Sequence, residues 1–306
     1  MTVGAAIDCG TNALRLLVVR REPDGRLTEL TRRMLTVRLG EGVDATGVLS
    51  AAALERTFAA LDEYAAEMRE LAVERVRMVA TSASRDARNR QEFVDGVRRR
   101  IGIEPEVISG DEEARLSFAG AVQSLPAGVM AEPYLVVDIG GGSTEFVIGT
   151  DVPERWISVD VGCVRMTERH LLDDPPTPAQ RDAAQADIHD LVARADAVVG
   201  LRSARTLVGL AGSVTTVGAW ALGLAEYDAS ILHGSVISAQ QACDAAEALL
   251  SMSRAERAAL GYMHPGRVDV IGGGAAVLAE IVRQGGFDSV VISEHDILDG
   301  IACTLV

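Results

Sequence analysis

The chain has 306 residues, of which 48% are hydrophobic and 4% aromatic, and its formal net charge is −15. That length exceeds a usual single core, so two domains are expected, and the composition suits Ala/Val/Leu-rich helices on parallel or mixed sheets, an α/β protein. Such acidity argues against nonspecific binding to nucleic acid or anionic membranes, and no apolar run approaches the ~20 residues of a membrane span.

In chain order, AAIDCGTNALRLLVV at 5–19 reads as strand, tight turn, strand. SAAALERTFAALDEYAAEMRELA at 50–72 has helical apolar spacing, and RVRMVATSA at 75–83 follows as a strand. TSASRDARNR turns the chain into another helix, RRRIGIEPEVISG at 98–110 reads as a helix end and a strand, and GDEEARLSFAGAVQSL at 110–125 opens a helix on an acidic first turn. The strand of YLVVDIGGG comes next, and DDPPTPAQ at 173–180 is a proline-rich loop before a long amphipathic helix. TLVGLAGSVTTVGAWALG at 206–223 and VDVIGGGAAVLAEIV at 268–282 both read as strand, glycine turn, helix. The final VVISEHDILDGIACTLV reads as a strand and a helix that returns to the first domain. The first domain then covers 1–123 with a returning helix at about 296–306, and the second covers 124–295.

The stretch VVDIGGGSTEFVIG at 136–149 ends an apolar strand in an aspartate and three glycines. Three glycines in a row carry an entropic penalty, best explained where a ligand approaches the backbone closely. The opening hairpin repeats the form: aligning Asp8 with Asp138 sets Gly10 on Gly140, Thr11 on Gly141, Asn12 on Gly142 and Arg15 on Glu145. Successive amides in such turns form an anion-binding concavity, and the strand-end aspartate can hold a cation. The sequence contains no lysine, so all 29 basic side chains are arginine and a P-loop is excluded; phosphate recognition must use arginine, amides or metal. Cys9, Cys163, Cys243 and Cys303 lie far apart with no CxxC pair and no secretory leader ahead of them, and read as reduced residues of a cytoplasmic protein. The five histidines show no paired zinc spacing.

IDCGTN at 7–12, ATSASRDA at 80–87, ISGDEEARLSFAGA at 108–121, VDIGGGSTE at 137–145, VGCVR at 161–165 and GLAGSVTT at 209–216 stand in order along the chain. In these motifs the sequence resembles the exopolyphosphatase and guanosine pentaphosphate phosphohydrolase (Ppx/GppA) family of the actin, Hsp70 and sugar-kinase superfamily. The resemblance implies two ribonuclease H-like domains flanking a central cleft, where water removes a terminal phosphoryl group with Mg²⁺, Mn²⁺ being the other candidate ion. Longer members continue into a helical HD-like region that this sequence does not show, which implies a preference for short chains.

The resemblance assigns Glu113 as the base that deprotonates water and Arg85 as the arginine that neutralises developing charge. The plainer reading of Asp111, Glu112 and Glu113 is a helix-dipole complement worth ~0.3–1 kcal/mol each, and Glu112 keeps that role. Asp138 and Glu145 are the expected Mg²⁺ carboxylates, with Asp8 as a third; alone, Asp8 would read as a turn residue. Phosphoryl oxygens are expected at Gly10, Thr11, Asn12, Ser82, Gly140, Gly141, Gly142, Ser143, Thr144, Gly212 and Ser213, with Arg15 a further anion contact. Close packing competes at Gly212 and explains the 272–276 turn equally well, and the arginine runs at 20–21, 32–33 and 98–100 read as a solvated face. The substrate is expected to be inorganic polyphosphate or guanosine pentaphosphate, and the protein a homodimer. Competing readings are a kinase using the GGGAA turn, and a sensor that binds an alarmone or polyphosphate without hydrolysing it.

Overall fold

The computed structural model describes residues 2–122, 125 and 130–305. The chain divides into two compact units, Met1–Gly120 with Ile297–Val306, and Ala121–Asp296.

In the first unit β1 (Val3–Cys9), β2 (Ala13–Arg21), β3 (Leu27–Thr36), β4 (Arg75–Ala80) and β5 (Glu106–Val107) form a sheet of order β3-β2-β1-β4-β5. The first three strands are antiparallel, while β4 runs parallel to β1 and β5 to β4. β1 reads as an almost unbroken apolar run because both of its faces are covered. One face carries Ile7, Leu14, Leu16 and Met78 against the helices Ala51–Glu70 and Arg90–Ile101. The other carries Ala6, Leu17 and Val79 against Ile297, Leu298 and Ile301 of the returning helix Ile297–Cys303.

The second unit repeats the plan. β6 (Tyr134–Ile139), β7 (Thr144–Gly149), β8 (Pro153–Val159), β9 (Thr206–Leu210), β10 (Val236–Ser238) and β11 (Ser289–Ile292) form a sheet of order β10-β11-β9-β6-β7-β8. With β10 set aside as an antiparallel edge, the order matches the first unit strand for strand, and both units are ribonuclease H-like. The long helix Pro178–Val199 starts at a Thr177 capping box with Gln180, and it buries Ile188, Leu191 and Val192.

One sequence reading changes. The segment 268–270 is a chain of turns with no strand, and Gly272, Gly273 and Gly274 are buried inside the helix Ile271–Gly285. They are small for packing: a Cβ on Gly273 would stand 2.8 Å from the Cys163 carbonyl oxygen, and one on Gly274 2.1 Å from Ser213 Oγ. The arginine runs form the solvated face expected of them, with Arg32, Arg33 and Arg98 exposed and paired with Asp299, Glu67 and Glu104.

The returning helix seats on Leu116 through Gly300, where a Cβ would meet the Leu116 carbonyl oxygen at 2.1 Å. Backbone cannot step aside as a side-chain tip can. Gly300→Ala should therefore lower the unfolding free energy by about 1–3 kcal/mol, the usual range for overpacking, despite alanine's better helix propensity. A urea midpoint equal to wild type would show that the helix is not tightly seated.

Candidate active site

The alignment of Asp8 with Asp138 reappears in strand register, since Asp8 pairs with Arg15 across β1 and β2, and Asp138 with Glu145 across β6 and β7. Both hairpins close the same way. The Gly10 N–H donates to the Ala13 carbonyl at 3.0 Å, and the Gly140 N–H to the Ser143 carbonyl at 3.0 Å. The chain after the third strand then returns to each turn and takes its carbonyls. In the first unit Gly40 N–H donates to Thr11 O, and the N–H groups of Val37 and Arg38 donate to Asn12 O. In the second, Cys163 N–H donates to Gly140 O, while Val164 and Arg165 N–H donate to Gly141 O. Each return approaches through a glycine, and neither position has room for a Cβ. One on Gly40 would sit 2.3 Å from Thr11 Cγ2, and one on Gly162 2.4 Å from the Gly141 oxygen.

A trans peptide points its N–H opposite its C=O, so carbonyls held from one side turn the following amides to the other. The amides of Gly141, Gly142 and Ser143 donate to no main-chain acceptor among the described residues. Such a run of oriented amides is an anion-binding concavity. Thr144, fully buried, donates its hydroxyl to Val161 O inside the unit.

The carboxylates of the two repeats meet different partners. Asp8 Oδ2 accepts from Arg15 Nε at 2.9 Å and Nη2 at 2.7 Å, an internal ion pair that engages the guanidinium expected to contact anion. Asp138 and Glu145 instead oppose one another as two acids, 7% and 1% exposed, with Ser158 Oγ donating to Glu145 Oε1 at 2.7 Å. Like charges opposite one another on a ladder are unfavourable. Among the described residues no group of three or more His, Cys, Asp or Glu side chains is arranged to hold a metal ion.

Glu113 and Arg85 come together in the first unit. Ser109 caps the helix Gly110–Val122 by accepting from Glu112 N–H at 3.2 Å, which places Glu113 in the first turn, 8% exposed. Arg85 Nη1 donates to Glu113 Oε2 at 3.2 Å and to Ile108 O at 3.1 Å. Glu112 turns to Arg77 at 2.8 Å. Arg85 shares the short helix Ser82–Asp86 with Ser82, whose hydroxyl lies 2.8 Å from that of Thr11, so this helix ties the carboxylate to the first turn.

In the second unit Gly212 and Ser213 open the helix Ala211–Ala221. Ser213 and Cys163 both pack against Gly274, and the Cys163 N–H donates to Gly140 O in the glycine turn. Sequence reasoning missed Arg267 here. Its guanidinium lies over Gly212, where a Cβ would come within 2.4 Å of Nε, and its Nη1 reaches Thr216 Oγ1 at 3.3 Å. It also missed the Arg165 side chain, whose Nε donates to Gly142 O at 2.7 Å. Only the arginine of the VGCVR motif could have signalled it. The cysteines beside the turns are no nucleophiles, because burial pushes Cys163 up to about 11 and raises Cys9 further still, so both stay protonated at neutral pH.

The Ppx/GppA phosphatase family model matches residues 18–304. Exopolyphosphatase 2 of Mycobacterium tuberculosis (strain ATCC 25618 / H37Rv) is 46% identical, over 100% of this chain and 99% of its own. Among solved structures, an exopolyphosphatase-like protein superposes with a TM-score of 0.96 at 43% identity, covering 99% of this chain and 97% of that one. An exopolyphosphatase from Cytophaga hutchinsonii ATCC 33406 superposes with a TM-score of 0.87 at 25% identity, covering 99% and 97%. A match of this length and identity, on a chain that carries the family's motifs in order, makes this protein a member of the Ppx/GppA phosphatase family.

Proposed function

We propose that this protein is an exopolyphosphatase that releases orthophosphate from the ends of inorganic polyphosphate. The observation that carries the reading is the run of outward-turned amides beside an acidic pair, in a chain 46% identical to a relative named exopolyphosphatase 2. Phosphoanhydride hydrolysis is chiefly positioning and charge stabilisation. Amides at Gly141, Gly142 and Ser143 would hold oxygens of the terminal phosphoryl group, with Thr11 and Asn12 at the positions that match Gly141 and Gly142 in the first unit, whereas the Gly10 and Gly140 amides close their own turns. Glu113 is the proposed base for the attacking water, and Arg85, bonded to its Oε2, orients that carboxylate.

Mg²⁺ fits the donor set. Asp138 and Glu145 offer hard oxygens from opposed positions whose mutual repulsion a cation would relieve, and Mg²⁺ binds through one or two carboxylates while sharing substrate phosphates. When bound, it would neutralise charge on the phosphate oxygens. Asp8, the third carboxylate expected from the sequence, is left out of the proposal, because Arg15 holds its Oδ2 and no group of three such side chains is arranged for a metal ion among the described residues. Mn²⁺ offers the same oxygen chemistry.

Orthophosphate release should be measured on short polyphosphate, long polyphosphate and guanosine pentaphosphate with Mg²⁺ present. Short polyphosphate is expected to be hydrolysed fastest; a clear preference for guanosine pentaphosphate would replace the named substrate. Glu113→Gln should lower kcat by ~10²-fold or more, as expected for removing a general base. A variant as fast as wild type would remove Glu113 from the mechanism.

Chelation by EDTA should abolish release and added Mg²⁺ restore it. In calorimetric titration Asp138→Asn should bind Mg²⁺ at least ~10-fold more weakly, a loss of about 1.4 kcal/mol. Unchanged Mg²⁺ affinity in that variant would move the ion to other ligands.

A further inference from the structure

The three peptide planes of the glycine turn are pinned unequally. The Gly140 and Gly141 carbonyls accept from main-chain N–H groups at the start of the helix Cys163–His170, so those planes cannot rotate without unravelling the helix. The Gly142 carbonyl accepts from a side chain, Arg165 Nε at 2.7 Å. Its counterpart in the first unit, the Asn12 carbonyl, accepts two main-chain N–H groups from Val37 and Arg38. The second unit has thus replaced a backbone clamp with a guanidinium at one of the two matching planes.

That plane most needs a clamp, because Gly142 lacks a Cβ and its neighbouring peptides rotate at little cost. The Arg165 side chain is only 11% exposed, with Asp160 3.6 Å from its Nη2, and its Nε at 2.7 Å from the Gly142 carbonyl oxygen sets a charged donor against the turn. A charged donor makes roughly twice as strong a hydrogen bond as a neutral one, and it polarises the peptide so that the N–H at its far end, that of Ser143, becomes a better donor.

We propose that Arg165 is a positioning residue for phosphoryl transfer: it holds and polarises the Gly142–Ser143 peptide so that the Ser143 amide is set for the phosphoryl oxygen. The inference rests on the phosphohydrolase reading above. It separates Arg165 from residues that bind substrate charge directly, since its effect passes through an amide whose donation counts most as charge develops.

The test pairs kinetics on short polyphosphate with ¹⁵N-serine-labelled spectra of the substrate-free protein, in which Ser143→Ala identifies the Ser143 amide. Arg165→Ala should lower kcat by ~10–10²-fold with KM within ~3-fold of wild type, somewhat less than outright loss of an oxyanion donor. Its Ser143 amide resonance should shift upfield or broaden. Arg165→Lys should recover part of kcat, and added guanidinium should partly rescue the alanine variant. Should the alanine variant not fold, the lysine variant alone is expected to lie between wild type and ~10-fold slower, with the Ser143 resonance displaced. A kcat within twofold of wild type for Arg165→Ala, a loss carried by KM alone, or a Ser143 resonance that does not move in either variant would overturn the proposal. If wild type releases no phosphate from any substrate, the phosphohydrolase reading falls, while the Ser143 resonance still decides whether Arg165 holds the peptide.

Discussion

A carbonyl held on one side of a peptide leaves its N–H on the other, and both candidate binding turns depend on that rule. Neither turn is shaped by its own residues alone. In each unit the chain must run through a third strand, double back and offer N–H groups to the turn, through Gly40 in one case and Gly162 in the other. The sheet order places the third strand beside the second, so that its end emerges next to the turn joining the first two. The outward-turned amides are therefore a product of topology, and preorganised dipoles of this kind are what electrostatic catalysis rests on.

The two repeats share backbone and differ in charge. Asp8 faces Arg15 and Asp138 faces Glu145 at the same place in the ladder. The first repeat sets a cation against its aspartate, and the second sets a second acid there. This asymmetry offers an acidic chain a way to hold a polyanion: a net charge of −15 repels such a substrate at long range, so attraction must be local. In the proposed site it would come from oriented amides, arginines seated in the folded units and a metal ion at the acidic pair.

How much was legible followed from what each signal depends on. The aspartate-glycine turns announced themselves because glycine runs and strand-end acids are rare unless needed, and two long helices read plainly from the proline-rich loop at 173–180 and the apolar spacing of 50–72. The edge strands β3 and β8 did not: LTELTRRMLT and PERWISV are charged and largely solvent-facing, so they lack the alternation that marks a half-buried strand. The glycines at 272–274 looked like the turn at 140–142 because local sequence cannot tell a glycine kept small for a ligand from one kept small for Ser213 and Cys163.

The sequence by itself determined the fold class, the internal repeat and the residue types that can meet phosphate, because these rest on composition, period and chemistry a few residues apart. Tertiary structure alone decided that Arg15 closes on Asp8, that Arg85 reaches Glu113, that Arg267 covers Gly212 and that Arg165 holds Gly142. An arginine side chain is long and its guanidinium can serve a carboxylate, a carbonyl or a phosphate equally well. Which partner it takes depends on what the folded chain brings within its reach, and a linear sequence does not carry that distance.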